Sequence, residues 1–314
     1  MKIRLGYVAI TKTLENITSS SSLSYSIYKN LQNKEEKLNY VILSNLMGLK
    51  EIILYNIKNN IHFYRLSSAM IPLATHKEVT FDYITPYQDL YKEIGNLIKD
   101  SNMRVDFHPN QYCVLNSMNP TVVENTVEIL KYHAKLLQNF CIENPIILLH
   151  VGSSAGSKKA AMTRFVHNFY KLPIEIQNMI ALENDDKVFM IEDVLSICET
   201  LDIPCVLDYH HYICNHDKEL LPLLPRIFNT WKNKTPKMHF SSPKSKLKKE
   251  FRSHHEYIDS DSFIAFLELI KSCQMDIDIM LEAKGKDEAL FKLVRELKYK
   301  TDYEFLDDTS FNIK

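Results

Sequence analysis

Glu183 and Asp208 are two carboxylates that each close a short apolar run. Met179-Ile180-Ala181-Leu182 leads into Glu183-Asn184-Asp185-Asp186, and Ile203–Leu207, broken by Pro204, leads into Asp208-Tyr209-His210-His211. His211 stands three residues after Asp208, so one turn just past a strand presents both. Carboxylate and imidazole together suit zinc or manganese. The same residues also fit a plain acidic loop with a stray His pair, because motifs this short occur by chance. The rest of the chain has to decide between the two.

Twelve histidines are spread over 314 residues. Six of them, His76, His108, His150, His211, His239 and His255, fall at or just past the same end of successive apolar runs. Glu183, Asp208 and Glu282 fall there too. His62, His133, His167 and His216 do not, and read as ordinary core or surface residues. One histidine at such a place is more often structural than a ligand. Six of them converging on three carboxylates are costly to bury without a partner. Divalent cations are the natural partner, and this many ligands call for more than one. Closely spaced metals sharing a carboxylate point to phosphodiester hydrolysis, since they stabilise both the attacking and the leaving oxygen.

That ring exists only if the strands are counted correctly. Strand-like runs recur at Ile3–Ala9, Ile61–Leu66, Arg104–Phe107, Ile146–Leu149, Met179–Leu182, Pro204–Leu207, Lys237–Phe240 and Ile277–Leu281. Helical patterns lie between and after them, near residues 38–57, 86–98, 120–140, 158–170, 189–201, 220–231, 261–272 and 287–298. Asn119-Pro120 is an N-cap followed by proline at the first helical position. In the last helix Ala289, Leu290, Leu293, Val294 and Leu297 form one apolar stripe. Eight alternating units predict a (β/α)8 TIM barrel, an α/β fold in one domain. A doubly wound open sheet is the alternative, but no G-x-G-x-x-G follows any strand.

The barrel domain is expected over residues 1–298, with a polar C-terminal tail over 299–314. Insertions at Thr11–Glu36 and Pro243–His255 fall on the C-terminal face, where barrel active sites lie. The second insertion carries Lys244, Lys246, Lys248, Lys249 and Arg252. It is a candidate phosphate clamp, or else a solvated charged loop.

Composition narrows the class. A net charge of −1 and a pI near 6.9 are not the footprint of a protein that coats DNA by charge alone. Bound divalent cations would add positive charge beyond that sum. The six cysteines form no C-x-x-C pair and mostly sit in apolar runs, which predicts reduced core thiols. The opening MKIRLGYVAI enters a strand pattern without a signal-peptide pattern. No apolar run approaches the roughly 20 residues of a membrane span. A cytoplasmic, nucleoid-associated protein is expected, with no membrane and no obligate protein partner, and a monomer.

RLGYV at the start, YRLSS at 64–68, HPNQY at 108–112, LLHVGS at 148–153, LENDD at 182–186, LDYHH at 207–211, KMHFSS at 237–242 and MLEAKGKDEAL at 280–290 together resemble the UV damage endonucleases of the UvdE/UvsE type. The resemblance spans nearly the whole chain. It implies a trinuclear centre of manganese, with zinc as the alternative. One metal would be held by His108, His150 and Glu183. A second would share Glu183 and take Asp208, His239 and Glu282. A third would take His211 and His255, the latter preferred over His254 for its place ahead of Tyr257-Ile258. Glu183, Glu282, Lys237 and His76 are the implied catalytic group, and Lys237 can be carboxylated in this family. Gln111 and Tyr112 would enter the duplex at the lesion, Tyr7 would lie near the lesion pocket, and Lys246, Lys248 and Lys249 would meet the DNA backbone.

The implied substrate is duplex DNA carrying cyclobutane pyrimidine dimers or 6-4 photoproducts, cut just 5′ of the lesion to leave a 3′-hydroxyl and a 5′-phosphate. Such lesions stack and pair poorly, so extruding them costs less than extruding intact bases. The enzyme then reads deformability rather than sequence. Three rivals use the same barrel: an abasic-site endonuclease without photoproduct activity, a metal-dependent sugar isomerase, and a non-catalytic DNA-binding barrel, which the intact ligand ring argues against. The isomerase leaves His211, His255, Gln111 and Tyr112 without a task.

Overall fold

The computed structural model describes residues 1–314. Eight strands, β1 (Lys2–Val8), β2 (Phe63–Arg65), β3 (Arg104–Asp106), β4 (Ile147–His150), β5 (Ile180–Glu183), β6 (Cys205–Asp208), β7 (Lys237–Phe240) and β8 (Ile277–Leu281), run parallel. Their order is β3-β2-β1-β8-β7-β6-β5-β4. The ends of that order meet: Phe107 N donates to Ile146 O at 3.1 Å, and Leu148 N donates to Phe107 O at 2.8 Å. The sheet is therefore a closed barrel with no free edge, as the eight-unit pattern predicts.

The helices are α1 (Tyr25–Tyr28), α2 (Lys34–Lys58), α3 (Gln88–Asp100), α4 (Pro120–Asn139), α5 (Lys158–Phe169), α6 (Ile174–Gln177), α7 (Ile191–Leu201), α8 (Tyr209–Cys214), α9 (Leu224–Asn229), α10 (Ser260–Ile270) and α11 (Lys286–Lys300). None is long and apolar enough to cross a membrane. Local signals set their ends. Asn119 accepts from Thr121 N ahead of Pro120, and Asp259 accepts from Ser262 N. The helix expected over 220–231 contracts to six residues. Pro222 and Pro225 lack the N–H that an interior turn needs, so the helix begins only at Leu224, with Pro225 in its first turn.

The segment after residue 298 belongs to the same body. Strands β9 (Glu304–Phe305) and β10 (Ser310–Asn312) pair with each other, and β10 lies antiparallel on the first half of β1. Tyr303 and Phe305 pack their rings on Phe311, which is fully buried. The apolar residues there anchor the tail against the barrel.

Side chains alternate along each strand, so every second residue enters the barrel. Apolar residues dominate the layer between strands and helices. The interior is instead polar and charged, in three tiers. At the N-terminal mouth, Arg4 (2.6 Å) and Arg104 (2.9 Å) share Asp278. In the middle, Lys237 pairs with Asp106 at 2.5 Å, both fully buried. At the C-terminal mouth stand Arg65, His108, His150, Glu183, Asp208, His239 and Glu282. Ile146, Leu148, Ala181, Val206 and Trp231 fill one side beneath them. Gly6 is the bare interior position on β1: a Cβ there would sit 2.3 Å from the Phe63 carbonyl oxygen.

Candidate metal centre

Glu183 is the hub of the C-terminal mouth. It ends β5 with 1% exposure, and three groups of ligand atoms meet on its carboxylate. The first is His108, His150 and Glu183; the second is Glu183, His239 and Glu282; the third is Glu183, Asp208 and His211. His239 Nδ1 lies 2.7 Å from Glu183 Oε1, and His108 Nε2 lies 3.0 Å from Oε2. His150 Nε2 and His211 Nδ1 each stand 3.7 Å from the carboxylate. One buried carboxylate thus faces four imidazoles delivered by four different strand ends.

The donor set fits divalent cations. Glu183 Oε2 and Asp208 Oδ2 are buried without a hydrogen-bond partner. Buried polar atoms normally have one, so orphans in one cluster need a partner from outside the chain. Imidazole with carboxylate is a set that manganese and zinc both accept.

Electrostatics follow from the crowding. Burial alone would raise the Glu183 carboxyl, but His239, His150 and His108 outweigh it and hold it well below the usual carboxylate range. Asp208 moves the other way, up to about 6, because burial and the like charges of Glu183 and Glu282 outweigh His211 and His239. His211 is resisted by burial, yet Asp208, Glu183 and Glu282 raise it to about 9. Burial pushes His108 down to about 4. Two carboxylates and two imidazoles separated in this way belong to a cluster built for positive charge.

Several supports for this cluster escape a reading of the sequence. Arg65, at the end of β2, sends Nη1 to Glu282 Oε1 (2.6 Å) and Nη2 to His239 Nε2 (2.7 Å), with Nε 3.5 Å from Asp106. Asn184 exchanges hydrogen bonds with the backbone of Asp208, 2.9 and 3.0 Å, and its carbonyl lies 2.9 Å from His211 Nδ1. Asp208 Oδ1 also accepts from His211 N and caps α8. Arg65 carried a signal in YRLSS: a charge closing an apolar strand. Asp106 and Asn184 are short polar residues beside stronger candidates and carried none.

Other expected site residues are placed differently. His255 is exposed, with Nδ1 held by the backbone of Tyr257. His254 faces the centre instead, 3.8 Å from Glu282 Oε2, with its ring 6.4 Å from that of His211. The placement has a local cause: His255 N donates to Ser242 O, and Pro243 bridges His254, so the chain direction turns His254 inward. Tyr7, expected near the lesion, is turned into the layer behind β1. It is fully buried between strand and helix, donating to Asn56 Oδ1 at 2.8 Å. His76 stacks on Tyr25 at 4.0 Å, and its Nδ1 accepts from Glu78 N. Lys237 lies one tier below the centre, paired with Asp106, and burial brings it down to about 8.

Beside the centre, Asn110 Oδ1 accepts from Tyr112 N in an Asx-turn, and Gln111 and Tyr112 project outward. Tyr112 is 77% exposed. In the basic loop, Lys244 pairs with Glu250 (3.0 Å) and Arg252 with Asp186 (3.7 Å). Lys246, Lys248 and Lys249 are exposed and have no acidic partner.

A closed parallel barrel whose C-terminal mouth crowds imidazoles and carboxylates onto one buried glutamate defines a (β/α)8 barrel enzyme with a candidate metal centre. More narrowly, the chain belongs to the UV-endonuclease UvdE family, whose sequence profile matches residues 3–309. A UV DNA damage endonuclease of Bacillus cereus (strain B4264) is 44% identical over 303 residues, covering 95% of each chain. One from Bacillus thuringiensis subsp. konkukian (strain 97-27) is 43% identical over the same length. The crystal structure of SacUVDE superposes with a TM-score of 0.86 at 35% identity, over 95% of this chain and 98% of that one. Endonuclease IV from Thermus thermophilus shares the fold, at a TM-score of 0.58 and 11% identity, over 95% and 100% of the two chains.

Proposed function

We propose that this chain nicks duplex DNA at UV photoproducts, cyclobutane dimers and 6-4 products, by metal-dependent hydrolysis of the phosphodiester immediately 5′ of the lesion. The observation that carries this reading is the sharing of Glu183 by three ligand groups at the mouth of a UV-endonuclease barrel. His108, His150 and Glu183 would hold one divalent ion. Glu183, His239 and Glu282, with Asp208 Oδ2 3.9 Å from His239, would hold a second. His211 with Asp208, and His254 from across the mouth, would hold a third. Bound divalent ions supply Lewis acidity and a water of lowered pKa.

The chain's own residues do the rest. Asn184 fixes the backbone of Asp208, and Arg65 fixes the Glu282 carboxylate, so the ligands are set before substrate arrives. Tyr112 and Gln111 stand where they can enter a duplex beside the centre. Lys246, Lys248 and Lys249 are free to meet phosphates, which bind without regard to sequence. Lys237 acts as a cation that neutralises Asp106. A carboxylated Lys237 would set two anions against each other, with Arg65 the nearest compensating charge.

The test is nicking of UV-irradiated supercoiled plasmid with manganese, with zinc and with a chelator, followed by mapping of the cut on an end-labelled duplex with one defined dimer. A metal-stimulated cut immediately 5′ of the dimer supports the reading. Equal nicking of unirradiated plasmid, or full activity in the chelator, overturns it. An abasic-site duplex run alongside separates the rival endonuclease.

A further inference from the structure

The opposite mouth of the barrel holds a cavity of about 840 Å³. It lies among the N-terminal ends of the strands, away from the candidate metal centre. Along β8 alone, Asp278 at its edge and Glu282 at the centre are four residues apart, roughly 13 Å of strand. Pockets of this size accommodate small ligands.

Its charge is unbalanced. Arg4 Nε and Nη2 reach the two oxygens of Asp278 at 2.6 and 2.7 Å, and Arg104 Nη1 reaches the same carboxylate at 2.9 Å. Two guanidiniums therefore share one buried anion. Lys99 and Lys232 on the wall are each matched, by Glu143 (3.4 Å) and Asp202 (2.5 Å). Lys234 is half-buried on the same wall and has no acidic group within ion-pair reach. Burial lowers its pKa, and the like charges of Arg104 and Lys232 lower it further. The lining residues carry a surplus of two positive charges, with Asp276 and Asp307 acting on Arg4 from outside the lining, and a positive concave wall is what an anion site requires. Arg104 is also the group whose guanidinium stacks over Trp231, 5.1 Å from the ring.

We propose that this N-terminal cavity is a second binding site, one that takes a phosphate-type anion between Lys234, Arg104 and Arg4. The anion adds to the neutralisation that Asp278 begins. It ties the starts of β1 and β3 to the loop that precedes β7. Charge-assisted bonds from guanidinium to phosphate oxygens are the strong kind. The site does not depend on the chemistry at the other mouth.

Trp231 is the chain's one tryptophan and is 1% exposed beside Arg104, so its fluorescence reports on this cavity. The full metal-loaded chain is titrated with inorganic phosphate, with a nucleoside monophosphate and with undamaged duplex DNA. Ionic strength is held constant with chloride. A saturable change with phosphate or the mononucleotide, half-saturating about tenfold higher in Lys234→Gln, supports the site. The melting temperature of the parent should also rise with phosphate, and that of Lys234→Gln should rise less. Three results overturn it: a response that follows ionic strength alone, a response equal in parent and variant, or a response to duplex DNA only. Nicking at the far mouth should be the same in Lys234→Gln and parent, which shows that the variant is folded.

Discussion

Arg65 joins β2 to the residue after β8 across the barrel mouth, with its Nη1 2.6 Å from Glu282 Oε1. The guanidinium is 6% exposed and also faces His239 and Asp106, so its charge is spent entirely inside the protein. Arg65→Met leaves Asp106 and Glu282 short of a cation. Removing one partner of a buried pair costs roughly 3–5 kcal/mol. Arg65→Lys restores charge but not the two-pronged contact, and should recover less than half of the loss. Urea unfolding of the metal-free proteins measures this. Equal stability of parent and Arg65→Met would show that the arginine is not a structural counter-ion.

Glu183 is the shared member of three ligand groups, so its loss should be felt by all of them. Glu183→Gln keeps the volume and removes the charge. Bound metal, read by elemental analysis after dialysis, should fall, and nicking should drop by at least about a hundredfold. Full metal occupancy in the variant would count against a bridging role.

The two adjacent histidines of the basic loop should separate cleanly. His254 faces Glu282, whereas His255 is exposed and bound to its own loop backbone. His254→Ala should weaken metal binding and nicking by about ten- to a hundredfold. His255→Ala should stay within about twofold of the parent. The reverse pattern in a nicking assay would assign the ligand to His255.

Much of this architecture is legible in the sequence because barrel strands are short apolar runs that end in function. All eight runs become strands, shifted by no more than two residues at their ends. Glu183, Asp208, His108, His150 and His239 stand out because a polar residue closing an apolar run needs a reason. Other features depend on the third dimension. Which of His254 and His255 faces inward is decided by the pairing of Pro243 with His254 and by the bond from His255 N to Ser242, and no residue type announces either. Tyr7 sits in a strand beside the centre, but strand alternation points it outward to Asn56. Asp106 and Arg65 complete a charge ladder whose rungs are far apart in sequence.

The metal-free protein should lose stability in alkali through His211. Its folded value, about 9, lies above the unfolded value near 6.5, owing to Asp208, Glu183 and Glu282 acting against burial. A raised value means that the folded state holds the proton more tightly. The stabilisation is fully present below about pH 6.5 and fades as pH rises through about 9. Its size is on the order of 3 kcal/mol at most. Urea midpoints between pH 6 and 10 in chelator should fall for the parent and stay flatter for His211→Asn. With metal bound the trend should reverse, because binding requires the deprotonated ring. Parallel profiles for parent and variant in chelator would remove His211 as the cause.

Gln111 and Tyr112 are the proposed damage probe, and they should act without touching hydrolysis. They follow His108 on one loop, held by an Asx-turn from Asn110, so they stand beside the centre while leaving its ligands untouched. A tyrosine packed on the barrel top would be buried; Tyr112 is 77% exposed, with a phenol ring facing solvent. Exposure alone is ordinary for a single surface aromatic, so the reading rests on where this one stands, on the loop beside the centre. In a duplex, the ring can replace the stack lost when a lesion is extruded, worth roughly 1–3 kcal/mol by analogy with base–aromatic stacking. Gln111 offers a donor and an acceptor to the bases left opposite. The double variant Gln111→Ala/Tyr112→Ala should keep its metals and melting temperature. It should lose about tenfold or more of its preference for photoproduct duplex over intact duplex. On a lesion placed in single-stranded DNA the loss should be smaller, because less unstacking remains to be offset. Competition binding on the two duplexes, with the single strand as third arm, reads all of this. A double variant that discriminates as well as the parent, or one that loses equal activity on all three substrates, assigns these residues to something other than sensing damage.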